Sequence, residues 1–319
     1  MGDTQRFLVR FWGVRGSYPT PGPHTVRHGG NTSCIEVQAG SQTIILDAGS
    51  GIIRLGESLL RRVPHAPLRL SLLITHGHGD HLIGLPFFAP LFDRRTSIDF
   101  FGPSLEMRSI EELVTPLMSP PYFPVDIRTL PSQRTFHTVT EDQYIVCGQP
   151  DGNKPRVVTA TTATKSAEVC VYIKFTHSHP LNGAILYRID YAGRRMVYAT
   201  DVEWKEQCDP HFLAFAEGAD LLVHDAQYTS EDYQQGKRGF GHSTVEMATS
   251  AARAASVGQL VLFHHEPTYD DAKLDTMEAL ARTQFAHAHS AYEGMEIDLL
   301  APRTNKSLFG NISKREENM

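Results

Sequence analysis

Four side chains able to bind a metal ion, His76, His78, Asp80 and His81, fall within six residues of the stretch Thr75-His76-Gly77-His78-Gly79-Asp80-His81. The run before it, Leu68-Arg69-Leu70-Ser71-Leu72-Leu73-Ile74, is rich in apolar residues and has the length of a strand. The run after it, Leu82-Ile83-Gly84-Leu85-Pro86-Phe87-Phe88, reads as a bend leading into a short helix. The candidate ligands therefore sit where a buried strand ends. Imidazole and carboxylate are the side chains that take zinc-like ions. His76 and His78 project from one side of an extended segment, with Asp80 and His81 beyond the bend. That arrangement can serve two metals. The bland alternative is a solvated loop that happens to hold histidines, and the position directly after a buried strand disfavours it.

The pattern His76-x-His78-x-Asp80-His81 resembles the signature of the metallo-β-lactamase superfamily. The resemblance implies an α/β fold, the αβ/βα four-layer sandwich, with one or two metals in a cleft at its edge. It does not name a substrate.

Composition bounds the rest. A chain of 319 residues, 41% hydrophobic and 21% charged, can bury a large core. Thirty basic against 36 acidic residues give a net charge of -6, which offers no global attraction for nucleic acid. Cys34, Cys147, Cys170 and Cys208 show no C-x-x-C spacing, so neither a zinc ribbon nor a disulfide framework is expected and a reducing compartment fits. The N-terminus lacks an apolar signal-like run, and no apolar stretch reaches the roughly 18 residues of a membrane span. A cytoplasmic protein without membrane contact is expected, with a homodimer left open. Residues 1–302 read as one domain, which the resemblance implies is a hydrolase, and 303–319 as a polar tail.

Along the chain, Phe7 to Phe11 and Cys34 to Gln38 read as strands, and Thr43 to Leu46 pairs back on the latter across Gly40-Ser41. Two glycine-rich loops, Gly13-Val14-Arg15-Gly16-Ser17 and Gly29-Gly30-Asn31-Thr32-Ser33, flank the second of these strands and the end of the first. Asp47 ends the third strand, where a carboxylate more often caps amides or orients a histidine than binds a metal. Helical spacing predicts helices over Ile52–Arg62, Ser104–Val114 and Asp271–His287. Ser243-Thr244-Val245-Glu246 has the form of a capping box, so another helix should begin there and stop near Gly258. Ser119-Pro120-Pro121-Tyr122-Phe123-Pro124-Val125 is too rich in proline for a helix and reads either as an aromatic lid or as a packed surface loop. Gly148 to Lys165 is polar and gives no periodic signal.

In the second half, apolar runs deliver His177 and His179, then Asp201, then His224-Asp225, then His264-His265. Histidine or aspartate at successive strand ends can converge on one edge of a sheet. With these residues the resemblance narrows to the phosphodiesterase branch of the superfamily that includes ribonuclease Z. It implies one metal held by His76, His78, His179 and Asp201, and another by Asp80, His81, Asp201 and His264, with Asp201 bridging. It further implies two divalent ions, zinc with manganese as the alternative, an activated hydroxide as nucleophile that Asp80 helps orient, and His242 as phosphate contact or proton donor. His177 is then expected to be exposed or supporting, His265 secondary to His264, and His224 and Asp225 supporting. His24, His28 and His211 are expected at the surface, and Arg15 is a weaker candidate for neutralising a substrate phosphate.

The leading expectation is a dinuclear metal-dependent phosphodiesterase, a hydrolase for a small or cyclic nucleotide. A transfer-RNA 3′ endonuclease acting on RNA is the main alternative, opposed by the acidic balance and the absence of a Gly/Pro/Lys-rich arm. A thioester or lactone hydrolase and a non-catalytic metal-binding or nucleotide-sensing module are further alternatives.

Overall fold

The computed structural model describes residues 6–104, 107–148, 154–159, 168–179, 183–204 and 207–301. Six strands come first: β1 (Phe7–Gly13), β2 (Cys34–Ala39), β3 (Gln42–Leu46), β4 (Leu68–Leu73), β5 (Thr96–Gly102) and β6 (Gln133–Thr138). Eight more follow: β7 (Gln143–Cys147), β8 (Arg156–Thr159), β9 (Val169–Thr176), β10 (Ala184–Tyr191), β11 (Arg194–Ala199), β12 (Leu221–Asp225), β13 (Leu260–Phe263) and β14 (Ala288–Ser290). A last strand, β15 (Glu296–Asp298), returns to pair with β1. Among the described residues these make two sheets, ordered β15-β1-β2-β3-β4-β5-β6 and β14-β13-β12-β11-β10-β9-β7-β8.

Alternation along the strands assigns the layers. Ile44 and Leu46 of β3 face a core shared with Tyr187, Tyr198 and Phe263 of the other sheet, whereas Ile45 faces a second core with Leu55 and Leu59. Val261 and Phe263 of β13 likewise point between the sheets, while Leu260 and Leu262 meet Ala252, Leu274 and Met277. The helices thus cover the outer faces: α1 (Gly51–Arg62) and α2 (Ile110–Val114) on one sheet, α3 (Pro210–Ala216), α5 (Val245–Ala254) and α6 (Asp271–Gln284) on the other, with the single turn α4 (Ser230–Asp232) outside them. The expected four-layer sandwich is what forms. Each fully buried Leu, Ile or Phe contributes about 1.5–3 kcal/mol.

Local differences have local causes. The helix expected over 104–114 starts at Ile110, because Ser109 and Glu112 form a reciprocal capping box; residues 105–106 lie outside those described. The box expected at Ser243 moves by one residue. Thr244 caps α5 by accepting from the Met247 N–H, and the Ser243 hydroxyl instead donates to the Val202 carbonyl. Within the unreadable 148–165 segment, Arg156–Thr159 is the edge strand β8, and 149–153 and 160–167 lie outside the described residues, as does the tail from 302. In the Pro-rich loop Phe123 packs edge-on against Phe87 and joins the outer core, which fits the surface-loop alternative. No helix among the described residues is long and apolar enough to cross a membrane.

Candidate metal centre

The register brings the strand ends together. β3 and β4 run parallel with Leu46 beside Leu73, so Asp47 lies next to the turn that carries His76 to His81. In the other sheet β11, β12 and β13 run parallel, pairing Ala199 with His224 and Asp225 with Phe263, which aligns Asp201, Asp225 and His264 along one edge. The two edges are tied directly: the Ile185 N–H donates to the Thr75 carbonyl (2.9 Å) and the Tyr187 hydroxyl to the Ile74 carbonyl (2.8 Å). Asp47, Asp201 and His264 have φ of 62°, 56° and 61°. A left-handed conformation is costly for residues other than glycine, and three such residues at neighbouring strand ends mark a place where the fold holds backbone strain.

The described side chains form overlapping groups whose donor atoms lie within 4.8 Å of one another: His76, His78, His179 and Asp201; Asp80, His81 and His264; and Asp201, His242 and His264. Asp201 stands between the first two. Its Oδ1 is 3.6 Å from His76 Nε2 and 3.7 Å from His179 Nε2. Its Oδ2 is 3.2 Å from His81 Nε2 and 3.5 Å from His264 Nε2. Asp80 Oδ2 lies 3.0 Å from His264 Nε2 and 3.3 Å from His81 Nε2.

Supporting hydrogen bonds leave the inward nitrogens available. His81 Nδ1 pairs with Asp47 Oδ2 (2.8 Å), which also accepts from Tyr198 (2.9 Å), while Asp47 Oδ1 accepts from the Thr75 N–H (2.8 Å). His179 Nδ1 pairs with the Gly241 carbonyl (3.2 Å) and His264 Nδ1 with Gln227 Oε1 (3.0 Å). Such partners fix the ring and its tautomer in a metal-binding histidine. The expected supporting role of Asp47 is the one its contacts describe.

Charge and burial test whether a cation fits. Burial opposes ionisation of Asp80 and Asp201, yet the neighbouring imidazoles hold both carboxyls well below the usual carboxylate range. Burial also opposes protonation of His264, but Asp201, Asp80 and Asp225 outweigh it and push the imidazole up to about 9. His81 is driven up in the same way. Protons there balance carboxylates that a divalent cation could balance instead. On the other side burial holds His76 and His179 below the ordinary imidazole value against the pull of Asp201, which keeps their lone pairs free. His76 Nε2 is buried with no hydrogen-bond partner among the described residues. An orphaned buried nitrogen facing a carboxylate is costly unless something is bound. Nitrogen and oxygen donors of this kind suit divalent metal ions.

Beside this floor, His242 Nδ1 pairs with Asp225 Oδ2 (2.8 Å), and its Nε2 has no hydrogen-bond partner among the described residues. Asp225 also accepts from the N–H groups of Asp201 (3.1 Å), Gln227 (3.1 Å) and Ser243 (3.0 Å). The pair opens on a cavity of about 420 Å³ lined by Ser17, His78, His179, Tyr228, Phe240 and His242 among others. The first glycine loop flanks this site. The Ser17 N–H donates to Asp80 Oδ2 (2.7 Å), and a Cβ on Gly16 would stand 2.4 Å from the His264 ring, so only glycine lets the loop pass.

Two expectations fail. Arg15 is fully buried and donates to the carbonyls of Gly29, Glu266 and Tyr269, so it fastens loops and cannot meet a substrate phosphate. His28 is buried, 3.1 Å through Nδ1 from the Ala291 carbonyl, while His24 and His211 are exposed. His265 turns to the Ala291 carbonyl and His177 is exposed. His224 stays outside the cluster, bonded to Trp204 Nε1 and to the Asp225 carbonyl. Glu203 was not foreseen: buried, it accepts from the Tyr233 hydroxyl (2.6 Å) and the N–H groups of Gly239 (2.7 Å) and Gly241 (3.0 Å), holding the loop that leads into His242.

Residues 42–265 match the family model described as the beta-lactamase superfamily domain. The chain belongs to this family. Among curated relatives, Ribonuclease Z of Thermococcus sibiricus is 27% identical over 261 residues, spanning 75% of this chain and 82% of that protein. The metallo-beta-lactamase fold protein YhfI from Bacillus subtilis superposes with a TM-score of 0.64 at 18% identity, over 92% of this chain and 100% of that one. The short form of human tRNase Z superposes with a TM-score of 0.58 at 18% identity, over 91% and 98%. Within the beta-lactamase superfamily the chain is a metal-dependent hydrolase, and its His/Asp groups indicate divalent metal ions.

Proposed function

We propose that the chain is a dinuclear phosphodiesterase whose substrate is a small or cyclic nucleotide. The observation that carries this reading is Asp201, whose two oxygens face two separate groups of histidines. His76, His78, His179 and Asp201 would hold one ion, and Asp80, His81, Asp201 and His264 the other; zinc suits the donor set, with manganese as the alternative. When bound, such a pair supplies Lewis acidity that lowers the pKa of a water and offsets charge on a phosphoryl oxygen.

The remaining work falls to side chains. Asp80, held by the Ser17 amide, orients the attacking water while it helps neutralise the floor. His242 donates a proton from Nε2 to the leaving oxygen, and Asp225 at Nδ1 keeps the ring aimed and steadies its charged form. The Thr244-capped start of α5 directs amide dipoles toward the same side, favourable for an anion.

Cleavage of RNA as a transfer-RNA 3′ endonuclease is the second reading, favoured by the relatives named Ribonuclease Z. The net charge of -6 weighs against a large RNA footprint. A side-by-side assay of cyclic mononucleotides, cyclic dinucleotides and precursor transfer RNA tests the choice. Turnover of a small nucleotide is expected; exclusive cleavage of the RNA would overturn the preference.

A further inference from the structure

A second cavity, of about 390 Å³, adjoins the cleft. Tyr228 and Phe240 line both cavities. Tyr228 is buried and stands edge-on to His242, with ring centroids 5.9 Å apart. Phe240 is 54% exposed, a large apolar ring left in solvent beside a polar site. The Lys237 ammonium lies 5.5 Å from the Tyr228 ring centre and 5.7 Å from that of Phe240. Among the described residues no carboxylate is in ion-pair contact with it, and the nearby Asp232 carboxyl, held down first by the Tyr269 hydroxyl, feels its charge only in smaller part. Gly236, Gly239 and Gly241, with φ of 133°, 88° and 90°, shape the loop that presents Lys237 and Phe240, and Glu203 pins its far end through Gly239 and Gly241. The cavity's other walls include Gln235 and Thr268, which offer polar groups to a sugar, and two carboxylates already engaged within the protein, Asp232 by the Thr229 and Tyr269 hydroxyls and Glu266 by Gln227 and Thr268.

We infer that this cavity is a subsite for a nucleotide unit on the leaving-group side of the scissile phosphodiester, with the base on Phe240 and a further phosphate on Lys237. An exposed ring supplies a stacking face that any base can use. A cation beside it that makes no ion-pair contact among the described residues supplies the counter-charge for a phosphate, and a volume of this size suits one nucleoside. Its place next to His242 puts the bound unit where the departing oxygen is protonated. In the hydrolysis, water adds its oxygen to phosphorus and the P–O bond to the ribose breaks with its electron pair going to that oxygen. His242 protonates the departing oxygen, and the proton released by the water restores His242. The inference rests on the phosphodiesterase reading and sharpens its substrate class to diesters that carry a second phosphate, dinucleotides above cyclic mononucleotides.

The test compares the 5′-phosphorylated dinucleotide pApA with ApA in the metal-loaded enzyme, and uses bis(p-nitrophenyl) phosphate to assay the underlying chemistry. Phe240→Ala should raise KM for pApA about tenfold with kcat little changed, and Phe240→Tyr should restore it. Lys237→Met should raise KM for pApA by a similar factor and leave ApA unaffected. Titration calorimetry of pApA into chelator-treated protein should show the same losses without turnover. Equal affinity of wild type and both variants for pApA, a fall in kcat at constant KM, or hydrolysis of bis(p-nitrophenyl) phosphate with none of pApA would overturn the subsite. Failure to hydrolyse any of the three diesters would instead overturn the reading beneath it.

Discussion

At the floor of the cleft His81 is fully buried, with Asp47 on Nδ1 and Asp80 and Asp201 facing Nε2; at the rim the Lys237 ammonium sits over two aromatic rings with no carboxylate paired to it among the described residues. The floor is made by strand ends whose positions the sheets dictate, and its charges are balanced against one another inside the protein. The rim is made by a glycine-shaped loop, and its charge and its exposed ring are left for something outside. Rigid strand ends suit the chemistry, and a loop suits the choice of substrate.

The contrast can be broken from the floor first. Asp80→Ala should reduce hydrolysis of a generic phosphodiester by at least on the order of 10³-fold; full activity in that variant would remove Asp80 from the mechanism. His242→Ala should lower kcat by on the order of 10²-fold with little change in metal content. Asp225→Asn should reproduce part of that loss, since it acts through the ring of His242. A variant at either position that loses metal instead would move His242 from proton donor to ligand, which the third side-chain group allows.

Asp47 acts one layer further out. Asp47→Asn should weaken metal retention by about 10–100-fold through His81, measured by competition with a chelator. Unchanged retention would make the Asp47–His81 contact merely structural. The smallest effect is expected at the junction of floor and rim. Glu203→Gln sets an amide N–H against the Gly239 or Gly241 N–H and should cost about 1–3 kcal/mol in denaturant unfolding, while leaving metal content intact. Loss of metal in that variant would show that the rim loop is part of the floor.

The floor was far more legible in the sequence than the rim, for a physical reason. His76 to His81 are contiguous and follow a run of apolar residues that can only be a buried strand, and Asp201 and His264 each end such a run. Parallel neighbours then bring those ends together without further instruction. Glu203 ends no strand, and its partners Tyr233, Gly239 and Gly241 are dozens of residues away, so nothing local marks it as buried. Arg15 misled for the converse reason: between glycines it reads as an exposed loop residue, yet it is buried by the Glu266–Tyr269 segment far along the chain. The edge strand β6, Gln-Arg-Thr-Phe-His-Thr, carries too few apolar residues to show alternation, and β14 and β15, at three residues each, are too short.

In the proposed site two histidine groups share Asp201 between two ions. Elemental analysis of the full chain, reconstituted with excess zinc and desalted, addresses it most directly when wild type and Asp201→Ala are measured together. Two ions per wild-type chain and a clear deficit in Asp201→Ala are expected. An absence of metal in the wild type, or the same content in both proteins, would contradict that sharing.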